Sequence, residues 1–135
     1  MKFWIGVASK EHVEIGVAGG FAQLCHGKCA PLNRMKAGDW LIYYAPKVSM
    51  QTNQPYRKFM AVGQVLEGEA YPFEMYPGFI PYRKNVSFQK VTSPLSLEGI
   101  SKFPVWQDYR SKLRFGHFEI SEELFELIAF SMVEG

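Results

Sequence analysis

The stretch Arg34-Met35-Lys36-Ala37-Gly38-Asp39-Trp40-Leu41-Ile42-Tyr43-Tyr44-Ala45 reads as a Gly-Asp turn feeding a strongly apolar, aromatic strand. Pro46 ends that strand in this reading, and residues 47–57, rich in Ser, Gln, Thr and Asn, form a polar loop. Residues 59–66 are the next strand. A meander follows through 71–75, a Pro77-Gly78 turn and 80–91, where Val86, Phe88 and Lys90 alternate with Ser87, Gln89 and Val91. Upstream, residues 2–8 are apolar at nearly every position, which suits a strand covered on both faces. Ser9 stands where a helix N-cap belongs, Glu11 falls in the first turn, and Gly19-Gly20 closes a short helix over 9–17. Residues 21–32 show no clear period. Downstream, 94–100 and 105–113 read as short helical pieces around Pro104, and 115–120 as a last strand. Ser121 caps a terminal helix with Leu124, Leu127, Ile128 and Met132 along one stripe. About six strands and a few short helices, without βαβ alternation or a repeat, predict an α+β fold: a small mixed β-barrel with helices packed on it.

Composition agrees with one folded domain over residues 1–135, since 47% of them are apolar and only 21% charged. Two cysteines, Cys25 and Cys29, are too few for a disulfide scaffold, and no charged n-region with a long apolar stretch opens the chain. A reduced, cytoplasmic protein is the expectation. The apolar runs at 3–8 and 40–46 are strand-sized, short of the ~20 residues of a membrane helix, so no membrane partner is expected. The net charge of +2 is segregated: residues 28–58 hold six basic side chains against one acidic, 83–114 seven against two, and 115–135 five glutamates. Ordinary solvated surface accounts for most of these lysines; the sharper reading puts both basic segments on one face that meets a polyanion.

Catalytic and metal signatures are weak. Cys25-His26-Gly27-Lys28-Cys29 has soft ligands, but His12 and His117 are not spaced as a second ligand pair, so no metal is assigned. Cys25 beside His26 lacks an orienting Asp or Asn, and Gly16 to Gly20 lacks the context of a dinucleotide fingerprint. Asp39 reads most simply as a turn residue. No catalytic residues, and no cofactor, are named on this basis.

Aromatic residues interleaved with cations stand out instead, at Tyr56-Arg57-Lys58-Phe59, at Phe79-Ile80-Pro81-Tyr82-Arg83-Lys84 and over residues 110–115. Flat bases stack on rings while cations hold phosphate, a composition suited to single-stranded or flipped nucleotides. The competing reading makes the rings half core and the cations their solvated neighbours.

Trp4-Ile5-Gly6-Val7-Ala8-Ser9-Lys10-Glu11-His12-Val13, then Gly19-Gly20-Phe21-Ala22-Gln23-Leu24-Cys25-His26-Gly27-Lys28, Gly38-Asp39-Trp40, Tyr43-Tyr44 and Met75-Tyr76-Pro77-Gly78-Phe79-Ile80-Pro81-Tyr82-Arg83 together resemble the EVE domain family. The resemblance implies a PUA-like mixed β-barrel, related to the PUA, ASCH and YTH domains, and binding of nucleic acid, DNA or RNA, or of a modified base. Departures occur at Tyr82-Arg83-Lys84, where the family often has Phe-Arg-Arg, and at Trp106, which Gln107 follows in place of glycine. The expected function is a non-catalytic module that takes one modified base, or a base-like small molecule, into an aromatic pocket with a basic rim. Phe21, Tyr43, Tyr44, Tyr82 and Trp106 are the expected stacking rings, Ser9, Gln23 and His26 the readers of polar edges, and Lys28, Arg83 and Arg114 the phosphate contacts. Two other classes stay open: a small hydrolase of modified nucleosides using His26 or Cys25, and a protein-interaction module.

Overall fold

The computed structural model describes residues 1–133; Glu134 and Gly135, which the single-domain reading includes, lie outside the described residues. In chain order the elements are β1 (Phe3–Val7), α1 (Lys10–Gly19), β2 (Phe21–Ala22), a 3-10 turn (Cys25–Gly27), α2 (Cys29–Arg34), β3 (Trp40–Lys47), β4 (Pro55–Val65), β5 (Tyr71–Pro72) and β6 (Tyr82–Phe88). They continue with β7 (Leu95–Ser96), α3 (Leu97–Ile100), 3-10 turns at Pro104–Asp108 and Arg110–Phe115, β8 (His117–Ile120) and α4 (Glu122–Val133).

The strands join in the order β2-β6-β4-β3-β1-β8, with β5 on β6 and β7 on β4, and the sheet curls into a half-barrel. Only β1 and β3 pair in parallel, Phe3 opposite Trp40 through Val7 opposite Tyr44; the other pairings are antiparallel. Both faces are covered. Ile5, Ile42, Tyr44, Phe59, Trp106, Leu124 and Ile128 share one core, and Trp4, Val13, Leu24, Leu32, Leu41, Tyr43 and Val86 another. Side chains alternate across a strand, so consecutive apolar residues on β3 enter opposite cores, which is why this strand shows no polar face in sequence.

Helix α1 starts and stops where the sequence marks it. Ser9 Oγ accepts from the His12 N–H at 3.3 Å, and Gly20, at φ 72°, donates its N–H to the Gly16 carbonyl. Ser121 Oγ likewise caps α4 through the Leu124 N–H. Two expectations are corrected. Strand β3 does not stop at Pro46 but runs to Lys47, because Ala45 pairs with Lys58 and Lys47 with Pro55, leaving Pro46 opposite a bulge at Tyr56 and Arg57. Arg57 has φ 54°, so the extra residue is absorbed there and the missing proline N–H costs no ladder bond. The other is α2, a helix in the segment that shows no period, whose last carbonyls at Leu32 and Met35 accept from the buried Lys84 ammonium at 3.4 and 2.8 Å.

Asp39 does more than turn the chain. Its buried carboxylate accepts from the Lys2 N–H at 2.9 Å, the Lys36 N–H at 2.9 Å and Trp4 Nε1 at 3.0 Å, tying the start of β1 to the turn before β3. Burial pushes its pKa up, but the hydrogen bonds from Lys36, Lys2 and Trp4 and the nearby N-terminal ammonium outweigh burial and hold it below the ordinary aspartate value. Asp39→Asn keeps the shape, but its amide N–H2 meets donors, and a loss of about 3 kcal/mol is expected in urea unfolding at pH 7.

His117 stacks on Trp4, ring centroids 4.7 Å apart, and neither ring nitrogen finds a partner among the described residues. Burial, with Arg34 nearby, lowers its pKa from 6.5 to about 4. The unfolded chain therefore binds the proton more readily, so stability contributed by neutral His117 is complete above pH 6.5 and lost as pH falls toward 4. At pH 5 the loss is about 2 kcal/mol relative to pH 7.5. His117→Phe keeps the stacked ring and removes the proton site; unfolding midpoints measured at both pH values should differ much less in the variant than in the wild type.

Candidate functional site

A cleft of about 620 Å³ opens where four segments converge: the residues entering α1, the left-handed turn at 25–27, the 75–79 turn and the 3-10 turn at Arg110–Phe115. Val7, Ala8, Ser9, Glu11, His12 and Ile15 line it from the first, Gln23, Cys25, His26 and Gly27 from the second, Met75, Tyr76 and Phe79 from the third, and Leu113, Arg114, Phe115 and Gly116 from the fourth. Met50 and Gln51 of the β3–β4 loop close the remaining side. Its volume falls in the ~300–1,000 Å³ range of small-ligand sites.

Each wall has a local cause. Cys25, His26 and Gly27 take φ values of 49, 64 and 83°, a left-handed turn that ordinary residues enter at a cost of ~1–2 kcal/mol each. Gly27 packs against Pro81, and a Cβ there would collide with the proline ring. In the third wall the Phe79 N–H donates to the Tyr76 carbonyl at 2.9 Å with Gly78 at φ 88°, the geometry that a Pro-Gly pair at the two central positions favours. The turn sets the Tyr76 and Phe79 rings 5.1 Å apart at the mouth. Across the cleft, Phe115 is 56% exposed, with the Arg114 guanidinium 5.0 Å from its ring centroid.

Gln23 is the most constrained polar residue in the wall. The Tyr43 hydroxyl donates to its carbonyl at 2.8 Å and accepts its N–H at 3.2 Å, while Arg83 Nε donates to its side-chain Oε1 at 2.6 Å. Its Nε2 lies 3.7 Å from Met75 Sδ. His12, half-buried beside Gln23, is held below the ordinary histidine pKa by burial first and by the Arg83 charge, which the nearby Gln23 backbone partly opposes.

Of the residues expected from sequence, Ser9, Gln23, His26 and Arg114 line the cleft. Phe21, Lys28, Tyr43, Tyr44, Tyr82, Arg83 and Trp106 do not. Tyr43 is buried with its hydroxyl engaged on Gln23, and burial raises its phenol above the ordinary tyrosine value. Tyr44 packs on Phe59 and Trp106 meets that same ring edge-on, all within the core beside α4. Arg83 is the clearest reversal: its guanidinium lies 3.7 Å from the Phe21 ring and 3.9 Å from the Phe73 ring, so the expected base-stacking ring and the expected phosphate cation face each other. Lys28 and Tyr82 are exposed outside the cleft. Sequence reasoning missed His12, Met75, Tyr76, Phe79 and Phe115 as site residues; the signal was rings flanking a Pro-Gly turn or ending a basic segment, of which Tyr76 and Phe115 are exposed. Among the described residues no three His, Cys, Asp or Glu side chains gather as a metal site, and no helix is long and apolar enough to cross a membrane.

The sequence model of the EVE domain matches residues 2–130. A UPF0310 protein of Helicobacter hepaticus is 48% identical over 134 residues, covering 99% of this chain and 98% of that protein. Among solved structures, a hypothetical protein from Leishmania major superposes with a TM-score of 0.67 at 13% identity, covering 97% of this chain and 94% of the other. The human THYN1 protein, solved in complex with 5-methylcytosine containing DNA, superposes with a TM-score of 0.57 at 13% identity, covering 95% of each chain. These likenesses in structure share the PUA-like architecture of the half-barrel, and the sequence match over nearly the whole chain makes this protein a member of the EVE domain family.

Proposed function

We propose that this protein is a non-catalytic nucleic-acid-binding module that takes one modified base from a single-stranded or flipped strand into the cleft. The observation that carries the reading is the cleft itself: a concave site with exposed Tyr76 and Phe115 and half-buried Phe79 in its wall, polar Ser9, His12 and Gln23 beside them, and Arg114 as the cation among its lining residues. Rings at the mouth bind the faces of any base, and the apolar lining of Val7, Ala8, Ile15, Met50 and Leu113 accommodates an added methyl. Arg110 and Lys112 share the 3-10 turn that carries Arg114, and Lys47, Arg57 and Lys58 lie on the strands that the Met50 loop joins. These belong to the two basic segments of the sequence, of which Met50 and Gln51 from the first and Leu113 and Arg114 from the second line the cleft. The family membership and the THYN1 complex support the same reading.

The test is titration of single-stranded oligonucleotides with and without a methylated base, at several salt concentrations. Phe115→Ala should weaken binding about 10-fold at all salt concentrations, since one ring is worth ~1–3 kcal/mol of stacking. Arg114→Ala should instead flatten the salt dependence by about one unit of slope. Tyr44→Ala empties a core position and should lower thermal stability without a selective loss of base discrimination. Negligible affinity at low salt for every oligonucleotide would falsify the proposal.

A further inference from the structure

A second concavity, about 340 Å³ in volume, runs along α4 and shares no lining residue with the cleft. Its helix side follows from the helical period. Leu124, Ile128 and Met132 are buried in the core, so the row at 125, 129 and 133 borders the buried face and the row at 122, 126 and 130 lies outside it. Phe125 packs against Phe3 and Trp40, ring centroids 4.8 and 5.6 Å away, and Ala129 and Val133 are half-buried beyond it. Phe130, in the outer row, is 68% exposed, more than any other aromatic ring among the described residues. Trp40, Val62 and Gln89 form the sheet side. The end of the helix is fastened: the Met132 carbonyl accepts from the Thr92 and Ser93 N–H groups at 2.8 and 3.1 Å, and Thr92 Oγ1 donates to the Val133 carbonyl at 3.0 Å. The concavity is therefore preformed, which spares a partner the cost of ordering it.

Ala129 carries only a methyl between Phe125 and Val133, so a hollow separates the two rows, the kind of groove that receives a ridge of side chains from another helix. Charge says which helix. α4 carries Glu122, Glu123 and Glu126 and no cation, and Glu126 is the charged group among the lining residues. Glu122 and Glu126 stand in the same row as Phe130, one turn apart, and all three are exposed. The ion pairs among the described residues are Lys2 with Glu119 and Lys10 with Glu14, which leaves the α4 glutamates open to a cation from outside. A second copy docking by the same face would bring α4 against α4, with glutamates on both sides and no cation between them. A nucleic acid would set phosphates against the same glutamates. A helix with an apolar stripe and basic residues beside it fits both parts: its anchors enter over Ala129 against Phe125, Phe130 and Val133, and its Lys or Arg side chains reach Glu122 and Glu126.

We propose that the concavity along α4 is a docking site for a basic amphipathic helix of another protein. It is separate from the cleft and stands whether or not the cleft takes a base.

The experiment follows amide and indole resonances of the full chain during titration with three synthetic peptides. One is helix-forming, with leucines at i, i+3, i+4 and i+7 and lysines at the flanking positions; one has every lysine replaced by glutamate; one has the residues of the first in scrambled order. The basic amphipathic peptide should move the resonances of α4, of Gln89 and of the Trp40 indole, and leave those of Gln23 and Phe115 in place. The acidic and scrambled peptides should bind ~10-fold more weakly. Phe130→Ser, at an exposed position that leaves the core intact, should weaken the basic peptide ~10-fold, as the loss of a central aromatic anchor does. Glu126→Gln should weaken it ~3-fold and make its affinity less sensitive to salt. Absence of binding by the basic peptide, shifts that lie off α4, equal affinity for the acidic or scrambled peptide, or unchanged affinity in either variant overturns the proposal. A single-stranded oligonucleotide that moves the α4 resonances overturns it too, as does a dimer in sedimentation that Phe130→Ser dissolves, since each identifies a different occupant.

Discussion

The hydroxyl of Tyr43 holds the cleft in place. It donates to the Gln23 carbonyl and accepts the Gln23 N–H, so one side chain on the central strand β3 satisfies both polar groups of a residue that has just left β2. Buried backbone groups must be paired, and an irregular segment can cross a core only where something supplies those pairings. Gly6 makes the arrangement possible from the neighbouring strand, since a Cβ there would stand 2.6 Å from Leu24 and 3.3 Å from the Tyr43 ring. From this fixed point the wall is built outward: the Gln23 side chain meets Arg83, Arg83 lies between Phe21 and Phe73, and the left-handed turn after Leu24 seats Gly27 on Pro81. Strain in that turn is sustained because the flanking contacts leave it no alternative.

The pairing of rings with cations, which is conspicuous in the sequence, has more than one outcome in the fold. Where a strand carries the cation toward the core, ring and cation find each other, as Arg83 does with Phe21 and Phe73; Arg83 and Phe21 are buried, while Phe73 stays exposed on the outer side. Where a turn carries them, as at Arg114 and Phe115, both stay open to solvent. Lys10 and Lys58 on the Tyr56 ring, at 5.4 and 5.1 Å, are an intermediate case near the start of β4. The local sequence is alike in all three; strand or turn decides, through burial.

That distinction explains what the chain made legible. Strands at 3–7 and 40–45 are evident because apolar runs of that length need two covered faces, and α1 and α4 because Ser9 and Ser121 announce their first turns. The course of β3 through Pro46 was hidden because it depends on a bulge in β4, a property of the pairing and not of either strand alone. Site residues followed the same rule. Tyr43 and Tyr44 are adjacent on a strand covered on both faces, so neither ring could have lined an open cleft, and the alternation of side chains already implied it. Tyr76 and Phe79 were legible only as members of a Pro-Gly turn, since nothing in their spacing says which face of the sheet that turn overhangs.

The distribution of charge around the cleft decides which part of a nucleotide it suits. Arg114 is the cation among its lining residues and Glu11 stands among the same residues, so the interior offers little net positive charge to a phosphate. The glutamates of α4, at 122, 123 and 126, lie on a helix that packs over the core of Ile5, Ile42 and Trp106, whereas the cleft is lined from other elements. A site that gripped the backbone would concentrate its cations inside and show affinity dominated by salt. This one is lined by rings, by the fixed Gln23 amide and by His12, with Arg114 as its cation. A neutral heterocycle buried in such a site would remove no charge from water. The physical division is thus between rings and fixed polar groups, which meet the faces and edges of a neutral ligand, and a guanidinium, which attracts any anion alike.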